Sequence, residues 1–174
     1  MKRMIFYAML LLAGMVYPTQ GFSQSSNNSD LDVFLQERGY VPIKLEKLIT
    51  GHLSLTAQIN SIQTLFILDT GAGATVLDQK QSDKFNLSGN SSSNTAVGAG
   101  GSNINLQESI ISELKLQEYM LQDFKIHLMS LDHINNAFRQ LNLKEIDGVI
   151  GADMLTQGKA IIDYENLVLY LRKQ

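Results

Sequence analysis

The sequence predicts an all-β domain of barrel or sandwich type with one or two short helices. Three observations point there. Apolar and polar residues alternate repeatedly, as from Leu53 to Ile59, and a two-residue period marks a half-buried strand. The runs are short and separated by turns rich in Gly, Asn and Ser. Apolar residues at helical spacing are confined to brief stretches, so strands must supply most of the core.

The elements follow in order. Ser29 is placed to cap a short helix with Asp32 as its reciprocal partner, and Gly39 closes that helix. Val41, Ile43 and Leu45 alternate inward, and Pro42 restricts this strand to a sheet edge or a strand start. Leu53, Leu55, Ala57 and Ile59 form the next inward face, residues 60–63 read as a turn, and residues 64–69 as a fully buried strand. Residues 74–78 continue as a strand. Residues 86–103 are rich in Ser, Asn and Gly and read either as a floppy loop or as a hairpin with its tip at Gly98 to Gly101. Residues 104–116 and 120–131 give two more alternating strands. Ile134, Phe138 and Leu141 are at helical intervals. Residues 146–151 are a short buried strand, residues 152–158 a helical stretch ended by Gly158, and residues 159–172 a hairpin turning near Tyr164 to Asn166.

Bulk composition narrows the function. The 174 residues are 44% hydrophobic and 18% charged, which suits one folded domain. A net charge of −3 leaves no basic excess for a nucleic-acid partner. With no cysteine, disulfides, thiolate metal sites, a cysteine nucleophile and a lipid-modified cysteine are excluded. His52, His127 and His133 show no metal-ligand spacing and read as surface or edge residues. The start of the chain reads as a leader. Lys2 and Arg3 precede an apolar run from Met4 to Tyr17, Pro18 breaks it, and Gly21 to Ser23 supply small residues. This pattern is that of a secretory signal peptide cut after Ser23. Residues 24–39 then form a polar lead-in and short helix, and residues 40–174 the folded domain, periplasmic or secreted. The alternative for the leader is an uncleaved anchor.

The chemistry concentrates in residues 65–78, where an apolar run ends on Asp69 and meets Gly71 and Gly73 at once. An ordinary Asp-Gly turn is one reading. A phosphate-cradling loop is another, but Val76 stands where its third glycine belongs, no Lys follows, and Asp69 would repel a pyrophosphate. The third reading is a catalytic carboxylate. Peptide hydrolysis by acid-base chemistry needs a base for water and an acid for the leaving nitrogen, and two carboxyls held about 3 Å apart supply both by sharing one proton.

This stretch resembles the active-site segment of the retroviral-type aspartic proteases, in particular the bacterial secreted retropepsin-like group. Val97 to Gly101 resembles the glycine-rich flap, Ile146 to Leu155 the strand and short helix beneath the active-site loop, and residues 160–171 the C-terminal hairpin. The resemblance spans about residues 40–172. It implies a closed, barrel-like acid-protease domain and an aspartic-type endopeptidase that needs no cofactor and no metal. Asp69 would be the catalytic carboxylate. Thr70 would cross-link two active-site loops, and Gly71 would offer its N–H to the carboxylate. Ala72 stands where pepsin-like relatives carry a hydroxyl, so its lack of a donor implies activity at mildly acidic to neutral pH. Gly98, Ala99, Gly100 and Gly101 would close over a peptide or protein substrate, and Val149, Ile150 and Gly151 would brace the loop. Only one Asp-Thr-Gly is present, since residues 146–148 lack the hydroxyl residue. A two-carboxylate site therefore requires a symmetric homodimer. No membrane insertion is expected beyond the leader. Asp153 reads as a solvated helix-start acid, Asp163 as a hydrogen-bonding turn residue, and Asp147 as structural. The competing function is a non-catalytic extracytoplasmic peptide-binding domain of the same fold.

Overall fold

The computed structural model describes residues 30–87, 95–97, 103–105 and 107–173; the leader and the tip Gly98 to Gly101 lie outside the described residues. Among the described residues, three α-helices and twelve strands are arranged as follows. Helix α1 (Asp30–Gln36) leads into β1 (Tyr40–Lys44) and β2 (Glu46–Lys47). Next come β3 (Leu53–Ile59), β4 (Ile62–Leu68) and β5 (Val76–Asp78), then β6 (Thr95–Val97) and β7 (Asn103–Asn105). Long strands β8 (Gln107–Leu116) and β9 (Tyr119–Met129) precede α2 (Asp132–Gln140). The chain ends with β10 (Gly148–Ile150), α3 (Ala152–Gln157), β11 (Ile161–Asp163) and β12 (Val168–Arg172).

Six strands close into a barrel in the order β3-β4-β10-β5-β9-β8, with β8 returning to β3. The β4–β10 and β5–β9 pairs are parallel and the rest antiparallel. The seam uses Gln58↔Lys115 and Ile59↔Leu114. This pairing closes the barrel over the last residues of β8. Leu55, Ile59, Phe66, Leu77, Ile111, Leu114, Ile126 and Ile150 fill the interior. Gly148 is required there, because a Cβ would collide with the Phe66 ring and lie 2.6 Å from the Val76 carbonyl oxygen. Outside the barrel, a second apolar cluster of Ile67, Val76, Leu131, Phe138, Ile146 and Val149 seats α2.

The first described strand meets the last two in a three-stranded sheet ordered β1-β12-β11. The odd residues of β1 bond to β12, with Val41↔Leu171 and Ile43↔Leu169 in register, so Pro42 lies on the outward edge as expected. With its amide oriented to satisfy both of its polar atoms, Gln117 donates to the Pro42 carbonyl at 2.8 Å and accepts from the Lys44 N–H at 3.2 Å. The outer edge of β1 is thereby capped, and β11 is the sheet's other edge.

Several expected boundaries moved. The turn before β4 is only Asn60 and Ser61, both left-handed with φ of 47° and 67°. That matches the twist of a two-residue hairpin, and it puts Ile62 and Gln63 in the strand rather than the turn. Of the run expected as one strand from residue 104, β7 pairs with β6 and β8 with β9, and residue 106 between them lies outside the described residues. Of the two alternatives for residues 86–103, the flanks pair as a hairpin, with Val97 opposite Asn103.

Candidate active site

Asp69 is the first residue beyond β4. Its N–H donates to the Ile150 carbonyl at 3.0 Å, which extends the β4–β10 ladder by one bond. The backbone of the acid is thus anchored to two interior strands, while its side chain is exposed. The Gly71 N–H donates to Asp69 Oδ1 at 2.8 Å. A Cβ on residue 71 would lie 3.2 Å from that same oxygen. The Ala72 N–H donates to the Asp69 carbonyl at 3.2 Å, which tightens the turn. Thr70 and Gly71 are exposed beside the acid, and Ala72 packs its methyl against the outer apolar cluster.

The expected bracing residues divide between the two cores. Val149 packs outward with Ile67 and Val76 under α2, and Ile150 points into the barrel. Gly151 passes directly beneath the loop. A Cβ there would stand 2.5 Å from the Ala74 carbonyl carbon and oxygen, so this contact is one only glycine makes. The Ala152 N–H donates to the Ala72 carbonyl at 2.7 Å.

Two residues at this site differ from their sequence reading. Asp153 is not a merely solvated helix-start acid. Its Oδ2 accepts from the Thr75 N–H at 2.9 Å, and its Oδ1 from the Thr75 hydroxyl at 2.7 Å and the Met154 N–H at 2.7 Å. Thr75, fully buried, also accepts from the Gly151 N–H at 3.1 Å. A signal for this pair was present. A helix capped by glycine has no cap side chain to accept its first N–H groups, and a threonine in a buried strand needs a hydroxyl partner. His127 is the second correction. It is half-buried on interior strand β9, its Nδ1 is buried without a hydrogen-bond partner, and its N–H donates to the Thr75 carbonyl at 3.1 Å. His52 and His133 are exposed as expected.

Asp147 is structural, as read. Its Oδ2 accepts from the Leu65 N–H at 2.8 Å and its Oδ1 pairs with Lys84 at 2.9 Å. Asp163 organises the last turn, accepting from Glu165 and Asn166. Among the described residues no cluster of three or more metal-ligating side chains occurs.

Comparison with known proteins agrees with this architecture. The sequence profile of the family described as "gag-polyprotein putative aspartyl protease" matches residues 55–157, more than half of the chain. A retropepsin-like aspartic protease from Rickettsia conorii superimposes with a TM-score of 0.53 at 19% identity, covering 76% of this chain and 91% of that one. EIAV protease complexed with the inhibitor HBY-793 gives 0.47 at 15% identity, covering 66% and 95%. The retroviral protease-like domain of Ddi1 from Leishmania major gives 0.44 at 14% identity, covering 77% and 98%. No curated protein sequence matches the chain. The Rickettsia likeness is one of fold: a mostly β, closed-barrel, retropepsin-like domain, as the sequence predicts.

Proposed function

Because the chain belongs to the gag-polyprotein aspartyl protease family, we propose that it is an aspartic-type endopeptidase whose active form is a homodimer contributing one Asp69 from each protomer. The observation that carries this reading is the placement of Asp69. Its backbone is bonded to the barrel wall, its Oδ1 is held by the Gly71 N–H, and its side chain faces out of the single chain. A carboxylate fixed so firmly yet left exposed is half of a site that a second copy completes.

In the dimer, the two carboxyls share one proton, since like charges at about 3 Å do not both ionise. The ionised member takes a proton from water as the water oxygen attacks the peptide carbonyl carbon. The protonated member supplies its proton as the carbon–nitrogen bond breaks and the nitrogen leaves as an amine. One shared proton remains at the end of the cycle, and no metal or cofactor takes part. Thr70 cross-links the paired loops, Gly98 to Gly101 close over an extended peptide, and Ala72 sets an optimum at mildly acidic to neutral pH. Among the described residues β11 is the last strand of the terminal sheet, opposite the capped edge of β1, and this supports association through that sheet. The leader supports action in the periplasm or outside the cell after cleavage at Ser23.

The test is cleavage of a peptide library by wild type and by Asp69→Asn across pH, with sedimentation of both. Turnover by wild type alone, from a dimer, is expected. Equal turnover by both proteins, or full activity from a strict monomer, would overturn the reading. Peptide binding without cleavage by wild type would favour the non-catalytic alternative.

A further inference from the structure

We infer that Asp153 is a positioning residue for Asp69, acting through Thr75. This rests on the peptidase reading above and extends it to a residue outside the Asp-Thr-Gly motif. Residues 150–153 meet the active-site loop at three levels. At the near end the Asp69 N–H bonds to the Ile150 carbonyl at 3.0 Å, and in the middle the Ala152 N–H bonds to the Ala72 carbonyl at 2.7 Å. Both are backbone bonds, which many side chains would permit. The far end differs, because residues 150–153 reach it through the side chains of Asp153 and Thr75, beside the His127 N–H that β9 gives to the Thr75 carbonyl.

That far end is a closed polar unit. Thr75 gives both its N–H and its hydroxyl to the Asp153 carboxylate, and the same hydroxyl oxygen receives the Gly151 N–H. The carboxylate takes a third donor from Met154. Only an acceptor-only group with two oxygens meets three donors in this arrangement, and such charge-assisted bonds are about twice as strong as neutral ones. Thr75 is fully buried, so losing a partner there leaves a donor stranded away from water.

The middle of the loop does not supply this restraint itself. Thr70, Gly71 and Gly73 are exposed, and a Cβ at Gly73 would touch nothing within 4 Å. The shape of the loop, and with it the Gly71 N–H to Asp69 Oδ1 bond, is therefore set from its two ends and from the single Ala152 N–H to Ala72 carbonyl bond between them. Asp153 holds the end remote from the acid. Slackening that end lets Asp69 drift relative to its twin, and a misplacement of about 1 Å is enough to lose roughly a hundredfold in rate.

Asp153→Asn is the discriminating variant. It keeps the size of the side chain but turns one oxygen into an NH2 that faces a donor. Thr75→Val is its counterpart, removing the hydroxyl at nearly constant shape, and Thr75→Ser restores the oxygen. Two readouts are made on the full-length mature protein: kcat per titrated active site with KM, and amide exchange in residues 69–75 against β3 and β8. Expected for Asp153→Asn and Thr75→Val is a fall in kcat per site of roughly 10- to 100-fold with KM nearly unchanged, and faster exchange confined to the loop. Thr75→Ser should recover most of that loss. If loop exchange and kcat per site both equal wild type, or if the loop loosens while kcat per site stays constant, the positioning role is wrong. If wild type cleaves nothing, the endopeptidase reading fails on its own, and unchanged loop exchange in Asp153→Asn then overturns the support role separately.

Discussion

The Asp147 side chain takes the place of a strand partner for Leu65. The Leu65 N–H donates to Asp147 Oδ2 at 2.8 Å, and the Asp147 N–H returns a bond to the Leu65 carbonyl at 2.9 Å. Strand β10 pairs with β4 only from Phe66 onward, so Asp147 extends that ladder by one side chain. The other carboxylate oxygen pairs with Lys84. Asp147→Ala strands the Leu65 N–H and should destabilise the fold by about 1–3 kcal/mol. Lys84→Met should change stability by about 1 kcal/mol or less, because that cation is well exposed. Urea unfolding of both variants checks the ranking, and equal effects would contradict it.

On α2, Asn135 is 1% exposed and bonds both backbone groups of Ile146. Its Oδ1 accepts the N–H at 2.9 Å and its Nδ2 donates to the carbonyl at 3.1 Å. Asn135→Asp would set a carboxylate against that carbonyl and close to Asp78, whose Oδ2 is 3.4 Å from the Asn135 Nδ2. Its destabilisation should exceed that of Asn135→Ala at neutral pH and shrink on mild acidification, as protonation restores a donor. Denaturation midpoints at the two pH values decide it.

Two glycines should separate folding from catalysis. Gly148→Ala drives a Cβ into the Phe66 ring and the Val76 carbonyl inside the barrel, and overpacking of this kind costs about 1–3 kcal/mol or more. Gly151→Ala instead displaces the active-site loop at Ala72 and Ala74. Its activity per folded molecule should fall further than its melting temperature suggests, whereas Gly148→Ala should lose both in proportion.

The Asp163 carboxyl is held below its ordinary value of 3.8, first by the Asn166 side-chain hydrogen bond and then by the Asn166 and Glu165 N–H groups. A carboxyl depressed by folding contributes stability that is present above 3.8 and is lost as pH falls through the lower folded value. Asn166→Ala should move the Asp163 titration, followed by NMR, up toward 3.8. No movement would show that the side-chain bond is not the cause.

If each protomer supplies one acid, specific activity must depend on concentration. Dilution through the dimer dissociation constant should reduce rate with the square of protein concentration. Added Asp69→Asn should poison wild type by forming mixed dimers. Activity strictly linear in concentration, with no poisoning, would refute a shared site.

Much of this protein was legible in its sequence because local patterns carry the relevant physics. Alternation at Leu53 to Ile59 marks an inward strand face wherever the strand ends up. The spacing of Ile134 and Phe138 marks a helix face, and the resemblance carried by Asp-Thr-Gly with a later Gly-Val-Ile-Gly set the expectation that residues 149–151 lie under the loop. What the sequence by itself determined was therefore the strand content, the short helices and the acid-bearing turn, all set by periodicity and by turn chemistry within a few residues. Tertiary structure alone decided the closed strand order, the packing of Val149 outward and Ile150 inward, and the partnership of Thr75 with Asp153. Those two residues are separated by 78 positions. No local pattern joins them, because the donors of one and the oxygens of the other meet only after β4, β5 and β10 have paired and carried the start of α3 beneath the loop.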